Sequence, residues 1–477
     1  MGKFASRSVF LAGCLWLEIF TYGSLAPASE VLPGVVPKTL KRTVDPVVTD
    51  SSDFGRLLGK EIGKLRLFAE NGGKLETIPF QIDEISPDGE YLFQVQNKHG
   101  AWKKVERKIG KDGAGILTEK DELVFIARDS GGRVPREGWP TPEGVEIEII
   151  DHLDGGKGYV YLFYFDSPPP LSPKNYVDYR PEGELTITEE YGFGFSDPKH
   201  PAVFNIVAFV NAMKDQKPLD RLMANGILDR FKLKVQITFF FKMLRMNWDE
   251  NDAHAYPVAY IDGPVRVIEL VDYSMDLILG IPSPKLRRTL FNYPGRTVIP
   301  NELFIPFRPS IFISQASALA AFDFRSRASG AIVYNALMPN GVRVNGHMEP
   351  EEIELASKKF TLTKDFPNWI AYVGDFGGVL GRLRMNDRMW KEFKYLESKK
   401  TFWYSVHYID DKNLKEGNED EPGRYGEFGW QIQGVADVRR GHYVIDMILF
   451  AAKDFKKGDE QKYLNVDDSP LETKVIK

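Results

Sequence analysis

Residues 401–408, Thr-Phe-Trp-Tyr-Ser-Val-His-Tyr, alternate so that Phe402, Tyr404, Val406 and Tyr408 share one face of a strand and Trp403, Ser405 and His407 the other. A second run, Phe428 to Val435, reads as a strand that sets Gln431 and Gln433 opposite Trp430 and Ile432. If the two strands pair, an indole, an imidazole and two amides meet on one surface. Carbohydrate recognition needs that combination: an apolar ring for the C–H side of a sugar, and amides or imidazole for its hydroxyls. His407 can act there as a general base, with Glu427 or Asp410 as its carboxylate partner. The competing use of these residues is a solvated sheet face carrying one ordinary histidine.

Two further groups have chemical potential. Arg382, Arg384 and Arg388, with Asp387, follow Gly377-Gly378. Guanidinium groups beside a flexible turn can hold the carboxylates of an acidic sugar polymer in bidentate pairs, or form ion pairs within the protein. Asp83 and Glu84, and some forty residues later Asp121 and Glu122, offer the hard oxygen donors that Ca²⁺ takes, so calcium is the one cofactor brought into view. Their alternative role is to satisfy turn backbones and cap strand ends. No phosphate-binding GxxxxGK[ST] loop, GxGxxG turn, HExxH pair or GxSxG elbow occurs, and the 7 histidines are scattered.

The elements that must position these groups are mostly strands. The chain has 477 residues, 43% hydrophobic and 13% aromatic, with 42 Gly and 30 Pro. That composition excludes wholesale disorder and favours β structure with many turns. With 62 basic against 67 acidic residues, the net charge of -5 makes no case for a nucleic-acid partner. Strands are expected at Ile62–Phe68, Leu75–Ile82, Glu122–Ala127, Val145–Ile150, Tyr159–Phe165, Leu233–Phe241 and Val265–Val271, and helices at Leu219–Phe231 and Met389–Leu396. A loop of about 18 residues, rich in Asp, Glu, Asn and Gly, is expected between the strands of the Trp403 surface.

The run Ser167-Pro168-Pro169-Pro170-Leu171-Ser172-Pro173 suits a domain boundary, because consecutive prolines cannot join a ladder and stiffen toward polyproline II. It divides the chain into an N-terminal β domain (36–166), a linker (167–175) and a larger β-rich domain (176–470). The start reads as an export signal over residues 1–28: Lys3 and Arg7, an apolar stretch from Val9 to Leu17, and Ala26-Pro27-Ala28 before a mature start at Ser29. Alternatives are an uncleaved anchor, or a lipoprotein in which Cys14, the only cysteine, is acylated within Leu11-Ala12-Gly13-Cys14. No segment after the signal is apolar enough to span a bilayer as a helix. A periplasmic or extracellular location is expected.

Pro79-Phe80-Gln81-Ile82-Asp83-Glu84, then Asp121-Glu122-Leu123-Val124-Phe125-Ile126-Ala127, then Gly263-Pro264-Val265-Arg266-Val267 form a set that resembles a poorly characterised family of exported bacterial β proteins. That family is similar to the sugar mutarotase and polysaccharide lyase supersandwich group. The resemblance implies a mainly β chain: a small N-terminal β-barrel or β-sandwich domain and a larger supersandwich-like β domain with a few helices. The mutarotase catalytic His and Glu pattern is not recognisable, so no catalytic residue is carried over. The expected function is an exported envelope protein that binds or processes carbohydrate, with acidic polysaccharide as one substrate class. The alternative is a non-catalytic structural or assembly protein whose partner is an envelope component.

Overall fold

The computed structural model describes residues 34–476 apart from 99, 106–113, 182, 195–205, 209–225, 241–242, 277–284, 306–307, 361–367 and 416–421. The expected export signal and Cys14 therefore lie outside the described residues. No helix among those described is long and apolar enough to cross a membrane.

The fold is mainly β, built as packed antiparallel sheets with no closed barrel. In the N-terminal part, the strands Pro46–Asp50, Glu122–Ile126 and Gln81–Asp83 form one sheet. The hairpin Leu65–Asn71/Lys74–Thr77 turns at Gly72-Gly73, both at positive φ, as the Asn-Gly-Gly signal requires. It extends a second sheet through Lys157–Tyr164 and Gly144–Ile150. Leu65, Leu67, Leu123, Phe125, Ile147, Ile149, Val160 and Leu162 from both sheets share a single core. Alternation within each strand delivers these side chains to one side.

The proline run separates the sequence without separating the sheets. The last strand, Glu472–Ile476, returns to pair with Gly144–Ile150 in the N-terminal sheet. The hairpin Val95–Lys98/Ala101–Lys104 leaves the N-terminal part and joins the edge of an eleven-stranded sheet through Gln96 and Ala259. That large sheet faces a six-stranded one ordered Leu244–Trp248, Leu228–Phe239, Ile313–Phe324, Arg424–Gln433, Trp403–Asp411 and Lys359–Phe360. Between them lies the largest core, where Phe322, Phe324, Phe428, Trp430, Tyr404 and Tyr408 of the smaller sheet meet Tyr372, Val379, Met447 and Leu449 of the larger.

The helix expected at Met389–Leu396 runs from Asp387 to Ser398, with the Asn386 side chain accepting from the Met389 amide at 2.8 Å. Met389, Phe393 and Leu396 are buried, so the stripe is core packing. The helix expected at Leu219–Phe231 falls partly outside the described residues, and its end is strand from Leu228 onward. The period is two there: Arg230, Lys232 and Lys234 alternate with Phe231, Leu233 and Val235, and the strand ladders onto Ile313–Phe324. The expected long acidic loop is also shorter, because the strands flanking it extend to Asp411 and back to Arg424.

One buried network sets a pH dependence. Glu269 accepts from Asn292 Nδ2 at 2.6 Å and Thr186 Oγ1 at 3.2 Å, and Thr297 and Tyr191 continue the chain of bonds. Burial, then the neighbouring Glu184, raises the Glu269 carboxyl from 4.5 to about 8. The folded protein holds a proton that the unfolded chain releases, so this contribution is complete below pH 4.5 and is lost as pH rises toward 8. Glu269→Gln should therefore stabilise the protein at pH 8 by more than at pH 5, as measured by thermal unfolding. Equal shifts at the two pH values would contradict a protonated Glu269.

Candidate functional site

The strands Trp403–Asp411 and Arg424–Gln433 pair antiparallel with Trp403 opposite Gln433, Ser405 opposite Gln431, and His407 opposite Gly429. Residues directly opposite share a face, so the indole, the imidazole and both amides lie on one surface. Their reverse faces, Phe402, Tyr404, Val406 and Tyr408 with Trp430, are buried in the core. The Lys359 ammonium sits 4.6 Å from the centre of the Trp403 ring.

The register continues across two more strands as the row His407, Gly429, Ala321, Lys232. The two central residues are small, which leaves room for charged groups to meet over them. His407 Nε2 lies 2.5 Å from Glu427 Oε1. Glu427 Oε2 accepts from Lys232 Nζ at 3.0 Å and pairs with Arg424 Nε at 3.2 Å. Lys232 Nζ also pairs with Asp323 Oδ2 at 2.7 Å. Only His407 reaches solvent appreciably: its side chain is 16% exposed, against 1% for Glu427 and Lys232 and 0% for Asp323. The arrangement is one accessible imidazole backed by a buried, fixed charge cluster.

The two carboxyls of that cluster are driven apart. Burial pushes Glu427 up, but the His407 hydrogen bond and the charges of His407, Lys232 and Arg424 outweigh it and bring the carboxyl from 4.5 down to about 2. Asp323 is raised to about 8, by burial and then by the negative charge of Glu427. Lys232 is held in its charged form against burial by both acids. Glu427 is thus an anion at neutral pH, positioned to orient His407.

Asp410 takes no part in this pairing. It faces the other side of the strand and accepts backbone amides of Asn345 at 2.7 Å, Gly346 at 3.0 Å and Gly426 at 3.1 Å, fixing the loops there. Arg382 and Arg384 are set against acids of the chain itself. Arg382, 5% exposed, donates to the Leu464 carbonyl at 3.0 Å and to Asp468, and Arg384 pairs with Asp446 and with Asp467 at 2.8 Å. Arg382 thus anchors the C-terminal helix Glu460–Asp468, and Arg384, whose side chain is 43% exposed, ties that helix to the strand carrying Asp446.

The acids considered for calcium are also engaged by protein donors. Asp121 accepts the amides of Ile85 at 2.8 Å and Thr118 at 2.7 Å, and Glu84 accepts the Gly115 amide at 2.5 Å. Asp83 receives Gln81 Nε2 at 2.9 Å and Arg266 Nε at 2.7 Å, while Glu122 receives Tyr91 OH at 2.9 Å and an Arg266 nitrogen. Among the described residues no group of three or more His, Cys, Asp or Glu could hold a metal ion.

The three distinctive sequence segments thereby converge on Arg266. Gln81 Oε1 accepts the Val265 and Arg266 amides at 3.2 and 2.8 Å, and Arg266 also donates to Tyr293 OH at 3.1 Å. A Cβ on Gly263 would collide with the Gln81 amide, so glycine is required where the two segments touch. The motif is a buried rivet between the N-terminal sheets and the large sheet.

Asp323 and Arg424 had no signal in sequence pattern beyond a charge within a strand, and Lys232 stood in a row with Arg230 and Lys234 that by itself reads as a solvated face. Neither signal identifies a buried partner.

No protein-family model matches the chain, and no curated protein sequence matches it. Among solved structures, the chain is similar to an alpha-mannosidase from Enterococcus faecalis V583, at 8% identity and TM-score 0.38, over 93% of this chain and 45% of that one. It is similar to the alpha-N-acetylgalactosaminidase NagBb from Bifidobacterium bifidum at 11% identity and TM-score 0.30, over 60% of this chain and 38% of that one. For the heparan sulfate lyase HepC from Pedobacter heparinus the values are 8% and 0.26, over 57% and 30%. The chain spans less than half the length of each of these proteins.

Proposed function

We propose that this chain is an exported protein that binds or processes carbohydrate on the sheet face carrying Trp403, His407, Gln431 and Gln433. The observation that supports it most is the 2.5 Å pairing of half-buried His407 with buried, anionic Glu427, on the same face as an indole and two amides. The indole covers the C–H face of a ring, the two glutamines donate to and accept from its hydroxyls, and His407 is the group able to accept a proton from the bound sugar. With Glu427 fixed behind it, the imidazole is held in one orientation toward the bound sugar.

Trp403→Ala should remove the sugar-dependent rise in melting temperature and leave the unliganded melting temperature nearly unchanged, because Trp403 lies outside the core. A sugar response of undiminished size would exclude this face as the binding surface.

A second reading, an envelope assembly protein, is favoured by a different observation. Phe240, Met243, Leu244, Ile311 and Phe312 are all exposed at one end of the six-stranded sheet, Met243 by 84%. The Phe240 amide donates to the Phe312 carbonyl at 2.9 Å, so the two turns form one apolar tip. Such a patch suits contact with another macromolecule.

A further inference from the structure

The helix Asp387–Ser398 and the turn after strand Arg424–Gln433 enclose a cleft of about 530 Å³. Its walls carry Arg388 and Lys391 from the helix and Arg439 and Arg440 from the turn, against the carboxylates of Asp387 and Glu392. Four cations face two anions there, on a chain whose net charge is -5. The internal pairings leave the excess unspent. Glu392 is taken by Arg439, through Nη2 at 2.7 Å and the backbone amide at 2.8 Å, and Arg388 donates to the Arg440 carbonyl at 3.1 Å while lying over the Tyr443 ring. Lys391 and Arg440 are exposed and have no ion-pair partner among the described residues.

We propose that this cleft binds an acidic polysaccharide, a chain bearing repeated carboxylate or sulfate groups. The inference rests on the carbohydrate reading above and deepens it. Cations on two separate elements across a concave surface suit a ligand with charges spaced along its length, and an arginine fork can engage two oxygens of a planar carboxylate or of a tetrahedral sulfate. A lipid surface is disfavoured, because Tyr443, the aromatic residue lining the cleft, is 1% exposed and Tyr395, whose ring lies 4.2 Å from the Arg439 guanidinium, is only partly exposed, which leaves no wide apolar face to enter a bilayer. The turn that forms one wall, Gly434 to Gly441, continues directly from the strand bearing Gln431 and Gln433. One segment of chain thus links the cleft to the strand of the face proposed to hold the sugar rings.

The test is calorimetric titration of the whole protein with a heparin hexasaccharide and a galacturonate hexamer, at low and at raised NaCl. The same titrations are made with Lys391→Glu/Arg440→Glu and, as a milder change, Lys391→Gln/Arg440→Gln. Expected are binding that weakens steeply with salt and a loss of about tenfold or more in the charge-reversed variant. The neutralised variant should be intermediate, and the melting temperatures of both should be unchanged without ligand. Equal affinity in wild type and both variants, or no binding of either acidic sugar, would overturn the proposal. Binding of phosphatidylglycerol vesicles in place of the sugars would overturn it in favour of a headgroup site. Neutral oligosaccharides and Trp403→Ala in the same series keep the two readings separate. Loss of neutral-sugar binding alone touches the Trp403 face, and loss of acidic-sugar dependence on Lys391 and Arg440 touches only the cleft.

Discussion

Arg266→Met is expected to cost the protein about 3–5 kcal/mol of stability, the range for removing one partner of a buried ion pair. The size follows from what the guanidinium holds. Arg266 is 2% exposed and is bonded to Asp83, Glu122 and Tyr293 together. Without it, Asp83, itself 1% exposed, keeps only the Gln81 amide as a side-chain donor, and its burial already pushes its carboxyl upward. The loss should be largely recovered by Arg266→Met combined with Asp83→Asn and Glu122→Gln, because the cost lies in stranded charge more than in a lost attraction. Denaturant unfolding of the single and triple variants checks this. A single variant within about 1 kcal/mol of wild type, the ordinary value for a surface pair, would contradict the rivet.

Glu427→Gln is expected to change the pH dependence of stability at both ends. In the wild type, the depressed Glu427 carboxyl contributes stability that is present above pH 4.5 and lost as pH falls toward 2. Asp323 acts with opposite sign: raised to about 8, it contributes stability below its ordinary value of 3.8 that is lost as pH rises toward 8. Both shifts depend on the same pair. Glutamine removes the acid-side term directly. It also removes the negative charge beside Asp323, so that Asp323 ionises against Lys232 and the alkaline-side loss shrinks. Unfolding free energies of wild type and variant across pH 2.5 to 8.5 would show a flatter profile for Glu427→Gln. Parallel profiles would mean that the two carboxyls do not share Lys232. The variant also loses the anion behind His407, so any proton transfer carried by His407 should fall with it.

The Trp403 surface was legible because period-two alternation is a local signal: once residues 401–408 and 428–433 are strands, which side chains share a face follows from geometry. Pairing brought His407 to Glu427 for the same reason, since Glu427 lies two residues before Gly429 on the same side of its strand. Lys232 and Asp323 were not legible. Lys232 reaches Glu427 across 195 positions of sequence, and which distant strands become neighbours is decided by the packed cores, not by local pattern. The segments around Gln81, Glu122 and Arg266 stood out as unusual, yet their use could not be read, because each shows half of an interaction completed elsewhere. Arg382 and Arg384 had the same difficulty in reverse. Their acidic partners are Asp467 and Asp468 on a C-terminal helix and, for Arg384, Asp446 on the neighbouring strand, and no spacing in the sequence reveals either docking. The helix expected near Leu219–Phe231 failed where the alternation of Arg230, Lys232 and Lys234 already carried the strand period.

The most direct test of the account is a melting-temperature scan of the chain against neutral oligosaccharides and uronate oligomers, run on wild type, Trp403→Ala and His407→Gln. A sugar present at about 100 times its dissociation constant adds roughly 2.7 kcal/mol to the folded state, which such a scan resolves. The account predicts a rise for at least one sugar class in wild type, its loss in Trp403→Ala and its reduction in His407→Gln, with the unliganded melting temperature of Trp403→Ala unchanged. A flat response to every sugar in wild type, or a rise indifferent to both substitutions, would contradict it and turn attention to the exposed apolar tip around Phe240 and Phe312.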